Sequence, residues 1–154
     1  NFFAGVYGLA GNARRNRIGD VVAEFDLSSY MDSLSGDLPL GFKQRLSLAA
    51  AVMHDPAILF LDEPTSGVDP LTRREFWQRI NNMSARGVTI KVTSHFMDEA
   101  EYCDRLAIIY RGRIIATGMP DDIKEKFTTP GRPEATLEQA FISLIESYDR
   151  EHPQ

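Results

Sequence analysis

Residues 57–70 read Ala57-Ile58-Leu59-Phe60-Leu61-Asp62-Glu63-Pro64-Thr65-Ser66-Gly67-Val68-Asp69-Pro70. The first five are continuously apolar, as a strand covered on both faces should be. A polar loop follows, from 62 to 69. Asp69-Pro70 then opens a helix: a carboxylate cap, followed by proline where its missing N–H costs nothing. The spacing carries that helix to Arg86, with Phe76, Ile80 and Met83 inward and Gly87 as its left-handed stop. Residues 88–93 are β-branched and read as the next strand. Strand, helix and strand with short joints make a βαβ crossover, which sets two parallel strands side by side.

Upstream, the chain reads as helical. Phe2, Phe3, Val6, Tyr7 and Leu9 recur at helical spacing, with Gly11-Asn12 as a stop. Ile18, Val21, Val22 and Phe25 repeat the pattern. Residues 26–41 are rich in Ser, Gly, Asp and Pro and read as irregular. A third helix is predicted from Gly41 to His54, with Leu46, Ala49, Ala50 and Met53 buried, ended by Asp55-Pro56. Downstream, 96–102 is a short helix, and 105–110 with 113–117 form a strand pair around Gly112. Another short helix covers 121–127, and 128–133 is a linker. Thr136 and Gln139 form a capping box for a last helix with the stripe Phe141, Leu144, Ile145 and Tyr148. The class is α/β: a helical part, then part of a mainly parallel sheet.

In an open parallel sheet, ligands bind beyond the carboxyl ends of the strands. One such end carries Asp62 and Glu63; its neighbour carries Thr93, Ser94 and His95. Two carboxylates and an imidazole are therefore expected to converge. One carboxylate can hold Mg²⁺ through water, because that ion takes hard oxygen ligands and keeps part of its hydration shell. The other can orient or deprotonate an attacking water. Phosphoryl transfer needs mainly positioning and charge neutralisation, so this small set suffices. His54 and His152 lack such surroundings, Cys103 reads as a small apolar residue, and Trp77 reads as packing.

Composition bounds the alternatives. The chain has 154 residues, is 43% hydrophobic and 25% charged, and carries a net charge of -5. That suits a globular domain with no basic field to attract nucleic acid. Arg14, Arg15 and Arg17 read as a solvated helix face. The single Cys103 excludes an internal disulfide and a cysteine-built metal cage. The chain opens at Asn1-Phe2-Phe3 without Met, which reads as a piece of something longer.

With these residues in view, 58–70 resembles the Walker B segment and D-loop of an ATP-binding-cassette (ABC) ATPase. Thr93-Ser94-His95 resembles that family's switch-histidine segment, and residues 38–49 its signature motif and the helix behind it. The wording of 97–101 and of the last helix is similar to bacterial exporters of the ABC-2 type, including multidrug-export ATP-binding subunits. The resemblance implies a P-loop NTPase fold whose leading strands and phosphate-binding loop are missing here. It implies one partial cassette: a helical subdomain and signature helix over about 1–54, a catalytic sheet portion over about 55–127, and a C-terminal helix over about 134–150. It implies ATP and Mg²⁺ as cofactors, with Asp62 on Mg²⁺, and Glu63 and His95 as the catalytic pair. Ser66, Gly67 and Asp69 would face a second ABC ATPase domain across a head-to-tail dimer, either a homodimer or a tandem cassette. Gly41, Phe42, Lys43 and Gln44 would reach the nucleotide bound by that other domain. The other partners implied are integral membrane permease subunits at the cytoplasmic face of the membrane, with no nucleic acid.

Two departures from the family pattern stand out. Counted back from Gln44-Arg45, Pro39 takes the signature serine position, Leu40 the first glycine and Phe42 the glutamine; Gly41 survives. A proline offers a phosphate neither hydroxyl nor N–H. No Gly-x-x-x-x-Gly-Lys-Ser/Thr occurs in these residues, so the 154 residues alone are expected to bind MgATP poorly. The altered signature keeps a second reading open, a non-catalytic cassette that pairs with a competent one. A soluble ABC protein acting on DNA or ribosomes is disfavoured by the acidic composition.

Overall fold

A computed structural model describes residues 2–128 and 135–153. The chain divides into two compact units, residues 1–93 and 94–154. The linker expected at 128–133 falls, after Thr128, outside the described residues.

The first unit begins with α1 (Phe2–Val6) and α2 (Gly11–Glu24). The turn between them is made by Gly8, at φ +77°, and Gly11 opens α2 rather than stopping the helix before it. A glycine marks a change of direction in sequence but not which side of it the helix lies on. Two short 3-10 turns, Ser28–Tyr30 and Ser35–Asp37, interrupt the stretch expected to be irregular.

Helix α3 (Leu40–Ala51) follows. It ends three residues before the expected His54, and the chain turns through Asp55 at φ +55°. Leu48 and Ala49 are buried, Ala50 and Met53 half-buried, and Leu46 is 36% exposed, so the inward face is rotated from the expected one. Leu46, Ala49 and Met53 nonetheless line, with Ile18 and Val22 of α2, an open apolar cavity of about 220 Å³.

Strand β1 (Ile58–Asp62), helix α4 (Pro70–Ala85) and strand β2 (Thr89–Thr93) form the expected crossover. The strands are parallel, in register from Ile58 opposite Thr89 to Asp62 opposite Thr93. On α4, Phe76, Trp77, Ile80 and Met83 are buried, and Gly87 at φ +96° follows the helix as its left-handed stop. Strand β1 is not covered on both faces: Leu59 is buried, while Phe60 is 72% exposed beside an open Ile58. Among the described residues the sheet has only these two strands, so β1 is paired along one edge, and its Ile58 and Phe60 side chains lie exposed.

An ionic cluster ties the helices of this unit together. Arg45 of α3 donates to Glu75 of α4 and to Asp26 at 3.5 Å. Arg79 of α4 donates to Asp26 and to the Glu24 carbonyl, and Arg86 pairs with Glu24 at 2.7 Å. Arg17 is not a solvated residue of α2. Its guanidinium donates to the carbonyls of Val52 (2.7 Å) and Met53 (3.0 Å), which the end of α3 leaves without helical partners.

The second unit holds α5 (Met97–Ala100), β3 (Leu106–Tyr110), β4 (Arg113–Gly118), α6 (Pro120–Glu125) and α7 (Leu137–Glu151). Strands β3 and β4 are antiparallel around Arg111 and Gly112, whose φ of +48° and +73° suit a tight two-residue turn. Ile108, Ile123, Leu137 and Ala140 form the core, with Phe141 and Leu144 against it. The Thr136–Gln139 capping box at the start of α7 is fully formed.

Candidate functional site

The loop from β1 to α4 is held almost group by group. Asp62 ends β1, and its Oδ1 accepts a hydrogen bond from the Thr93 hydroxyl at the end of β2. The register of the two strands makes this pairing, because Asp62 sits directly opposite Thr93. The Glu63 amide donates to the Thr93 carbonyl at 3.0 Å and meets its hydroxyl oxygen at 3.3 Å. Thr93 therefore fixes both acidic residues, one through its carboxylate and one through its backbone.

Glu63 has φ +42°, in the left-handed region that residues with a Cβ rarely adopt. Such a conformation costs about 1–3 kcal/mol and persists only where the surroundings impose it. Here they do so through Thr93 on one side and, on the other, the Ser66 amide donating to the Glu63 carbonyl at 3.1 Å. Pro64 and Thr65 are buried, while Glu63 and Ser66 are exposed. The loop thus buries its middle and presents its acids outward.

Gly67, at φ +76°, turns the chain toward α4. Asp69 caps that helix: Oδ1 accepts from the amides of Leu71 (3.1 Å) and Thr72 (3.0 Å), and Oδ2 accepts from the Thr72 hydroxyl at 2.6 Å. The Thr72 hydroxyl and then its amide hold the Asp69 carboxyl below the usual carboxylate range. The cap itself was readable from Asp69-Pro70. The part played by Thr72 was not, since its hydroxyl could as well have faced solvent.

The signature-like segment lies against this loop. Pro39 caps α3 without any side-chain hydrogen bond. A methyl group on Gly41 would stand 2.8 Å from Thr72 Cγ2, and one on Gly67 3.2 Å from Leu40 Cδ2. Phe42 is packed rather than projecting: its ring is 4.3 Å from that of Tyr30, and Arg45 lies 4.9 Å over it. Lys43 and Gln44 are half-buried on the same first turn. Asp62, Glu63, Ser66, Gly67 and Asp69 are therefore one loop, with Gly41 and its neighbours beside the start of α4.

His95 belongs to the second unit, where its exposed ring lies 4.1 Å from that of Phe96, tilted by 36°. Cys103 is half-buried, and burial raises its thiol pKa. Trp77 is 2% exposed and packs, as its place on α4 suggested. The residues that sequence reasoning missed are Thr93 as the clamp on Asp62, Thr72 as the contact for Gly41, and Glu99. Glu99 is 1% exposed and accepts from the Ser94 hydroxyl at 2.6 Å. Only the strand register offered a signal for any of them.

A family model described as ABC transporter matches residues 4–66. The probable multidrug ABC transporter ATP-binding protein YbhF of Escherichia coli (strain K12) is 58% identical over 151 residues, or 98% of this chain and 26% of its own length. The chain belongs to the ABC transporter ATP-binding family. This ABC chain is also 45% identical over 119 residues to the Nod factor export ATP-binding protein I of Burkholderia pseudomallei (strain 1710b), covering 77% of the chain and 39% of the relative. A solved structure of an ATP binding subunit of an ABC transporter superposes with a TM-score of 0.76 at 31% identity, over 94% of this chain and 59% of that one. The P-loop NTPase fold of ABC cassettes is thereby established for it. The chain spans about a quarter of the length of the multidrug relative. No helix among the described residues is long and apolar enough to cross a membrane.

Proposed function

We propose that the protein binds MgATP and hydrolyses it to drive export through an ABC-2-type permease of integral membrane subunits, acting at the cytoplasmic face as a head-to-tail dimer with a second cassette. The observation that carries this reading is the clamped loop end: Asp62 fixed by Thr93, with Glu63 held beside it in a left-handed conformation. A left-handed backbone held in place at the residue proposed as general base fits a preorganised site. The domain reading stays as proposed: a helical subdomain over about 1–54, a sheet portion over about 55–127 and a closing helix over about 134–150.

Mg²⁺ fits the donor set at Asp62. Among the described residues no group of three or more His, Cys, Asp or Glu side chains clusters to cage an ion. One anchored carboxylate offering hard oxygen suits an ion that retains its waters. When bound, that ion neutralises charge developing on the phosphates. Glu63 accepts hydrogen bonds from the attacking water and takes its proton. His95 contacts the γ-phosphate. Ser66, Gly67 and Asp69 face the second cassette, and Gly41, with the backbone of Phe42, Lys43 and Gln44, borders its nucleotide. The 154 residues contain no Gly-x-x-x-x-Gly-Lys-Ser/Thr loop, so turnover is assigned to the protein that supplies one.

The test is Glu63→Gln in the full-length protein. Loss of a general base lowers turnover by about 10²–10⁴-fold, read as phosphate release at saturating MgATP. Unchanged turnover would overturn the assignment. A second reading, a degenerate cassette that only supports a competent partner, is favoured by Pro39, which caps α3 with no side-chain donor. Unchanged turnover in Glu63→Gln is the outcome that reading expects.

A further inference from the structure

Beside Thr65, Glu99 is the most buried polar side chain among the described residues, at 1% exposure. It lies on α5, outside the loop that carries Asp62 and Glu63. Its Oε2 accepts from Ser94 Oγ at 2.6 Å, and that same Ser94 Oγ accepts from the Phe96 amide at 3.1 Å. The two bonds bracket His95, one partner on each side in the chain. The His95 ring rests against the Phe96 ring at 4.1 Å. A hydroxyl has one proton to give. Given to Glu99, it leaves the oxygen lone pairs directed at the Phe96 N–H, so the carboxylate fixes the direction of the whole relay. A hydrogen-bonded relay anchored on a buried carboxylate favours one geometry, and losing a member releases it.

We propose that Glu99 is a positioning residue for His95, acting through Ser94 to fix the turn that carries the imidazole. This rests on the phosphate-contacting role proposed for His95. A turn held in one geometry carries the imidazole to one place, and only a near-correct placement serves a phosphate contact.

The experiment measures kcat and KM for ATP in the full-length protein carrying His95→Ala, Ser94→Ala, Glu99→Ala, Glu99→Gln, and the Ser94→Ala/Glu99→Ala pair. Misplacement of a catalytic contact is costly, so Glu99→Ala and Ser94→Ala each lower kcat about tenfold with KM little changed. Glu99→Gln keeps a carbonyl acceptor for the Ser94 hydroxyl and recovers most of the loss. The double variant is no slower than either single one, because both break the same relay. Glu99→Gln as slow as Glu99→Ala, or losses that multiply in the double variant, would overturn the proposal. Normal turnover in His95→Ala sinks the His95 reading, and the role of Glu99 with it. A loss in His95→Ala with normal turnover in Glu99→Ala sinks the Glu99 role alone. Ser94→Ala removes one exposed hydroxyl and carries the test if Glu99→Ala does not fold.

Discussion

The loop at 62–69 and the first turn of α3 lie side by side in one unit, yet they are held by different forces. In the loop, polar groups are pinned by hydrogen bonds: Asp62 to Thr93, the Glu63 amide to Thr93, Asp69 to Thr72. In the first turn of α3, the holding is by shape. Gly41 leaves room for the Thr72 methyl, Leu40 lies close to Gly67, and Phe42 packs against Tyr30 and under Arg45. Hydrogen bonds fix directions, whereas packing fixes positions. A loop that must aim carboxylates keeps its polar partners. The turn of α3, with Pro39 and Phe42 where the family pattern has serine and glutamine, keeps the glycine that its packing requires.

That contrast can be broken at several points. The largest effect after loss of Glu63 is expected from Thr93→Val, which keeps the shape and removes the hydroxyl that aims Asp62. Loss of a partner behind a metal-binding group costs about 10–100-fold, and the Mg²⁺ dependence of turnover should shift to higher concentration. An unshifted Mg²⁺ profile would separate Thr93 from the ion.

On the shape side, Gly41→Ala puts a methyl 2.8 Å from Thr72 Cγ2. Alanine's better helix propensity returns about 1 kcal/mol, but overpacking costs about 1–3 kcal/mol, so denaturant unfolding should show a net loss. Thr72→Ser removes that methyl and keeps the hydroxyl on Asp69, and so should restore the stability of Gly41→Ala. If the pair stays as unstable as the single variant, the contact is not what selects glycine.

Pro39→Ser adds one hydroxyl donor, worth about 0.5–1.5 kcal/mol where it finds a phosphate. ATP turnover should rise a few-fold; no gain means the side is complete as it stands. The smallest effect is pH-dependent. The Asp69 carboxyl is lowered by Thr72, so its contribution to stability is present above the ordinary value of 3.8 and is lost as pH falls below it. Asn caps almost as well, so Asp69→Asn should match the parent's acid stability and fall short only at higher pH. Melting curves from pH 2 to 7 would read this.

Much of this was legible because it is local. The cap at Asp69-Pro70, the stop at Gly87 and the capping box at Thr136 and Gln139 are short-range patterns whose partners lie within four residues. The β1–β2 pairing was legible because a short crossover leaves few alternatives. What stayed hidden depends on a partner far along the chain. Arg17 reads as one of three surface arginines until the end of α3 is placed before it. The positive φ of Glu63 follows from Thr93, thirty residues on, and nothing in the letters Asp-Glu-Pro announces it. Gly11 was misread because glycine serves both ends of a helix.

The exposed side chains of β1 also carry a consequence for handling the protein in solution. Ile58 and Phe60 stand exposed on a strand that, among the described residues, has a partner along one edge only, an arrangement that invites chain-to-chain pairing. At neutral pH the net charge of -5 keeps molecules apart. Near the isoelectric point of about 5.2 that repulsion vanishes, and the exposed strand becomes the natural seed for precipitation. Samples of these 154 residues should therefore be kept well above that pH and dilute.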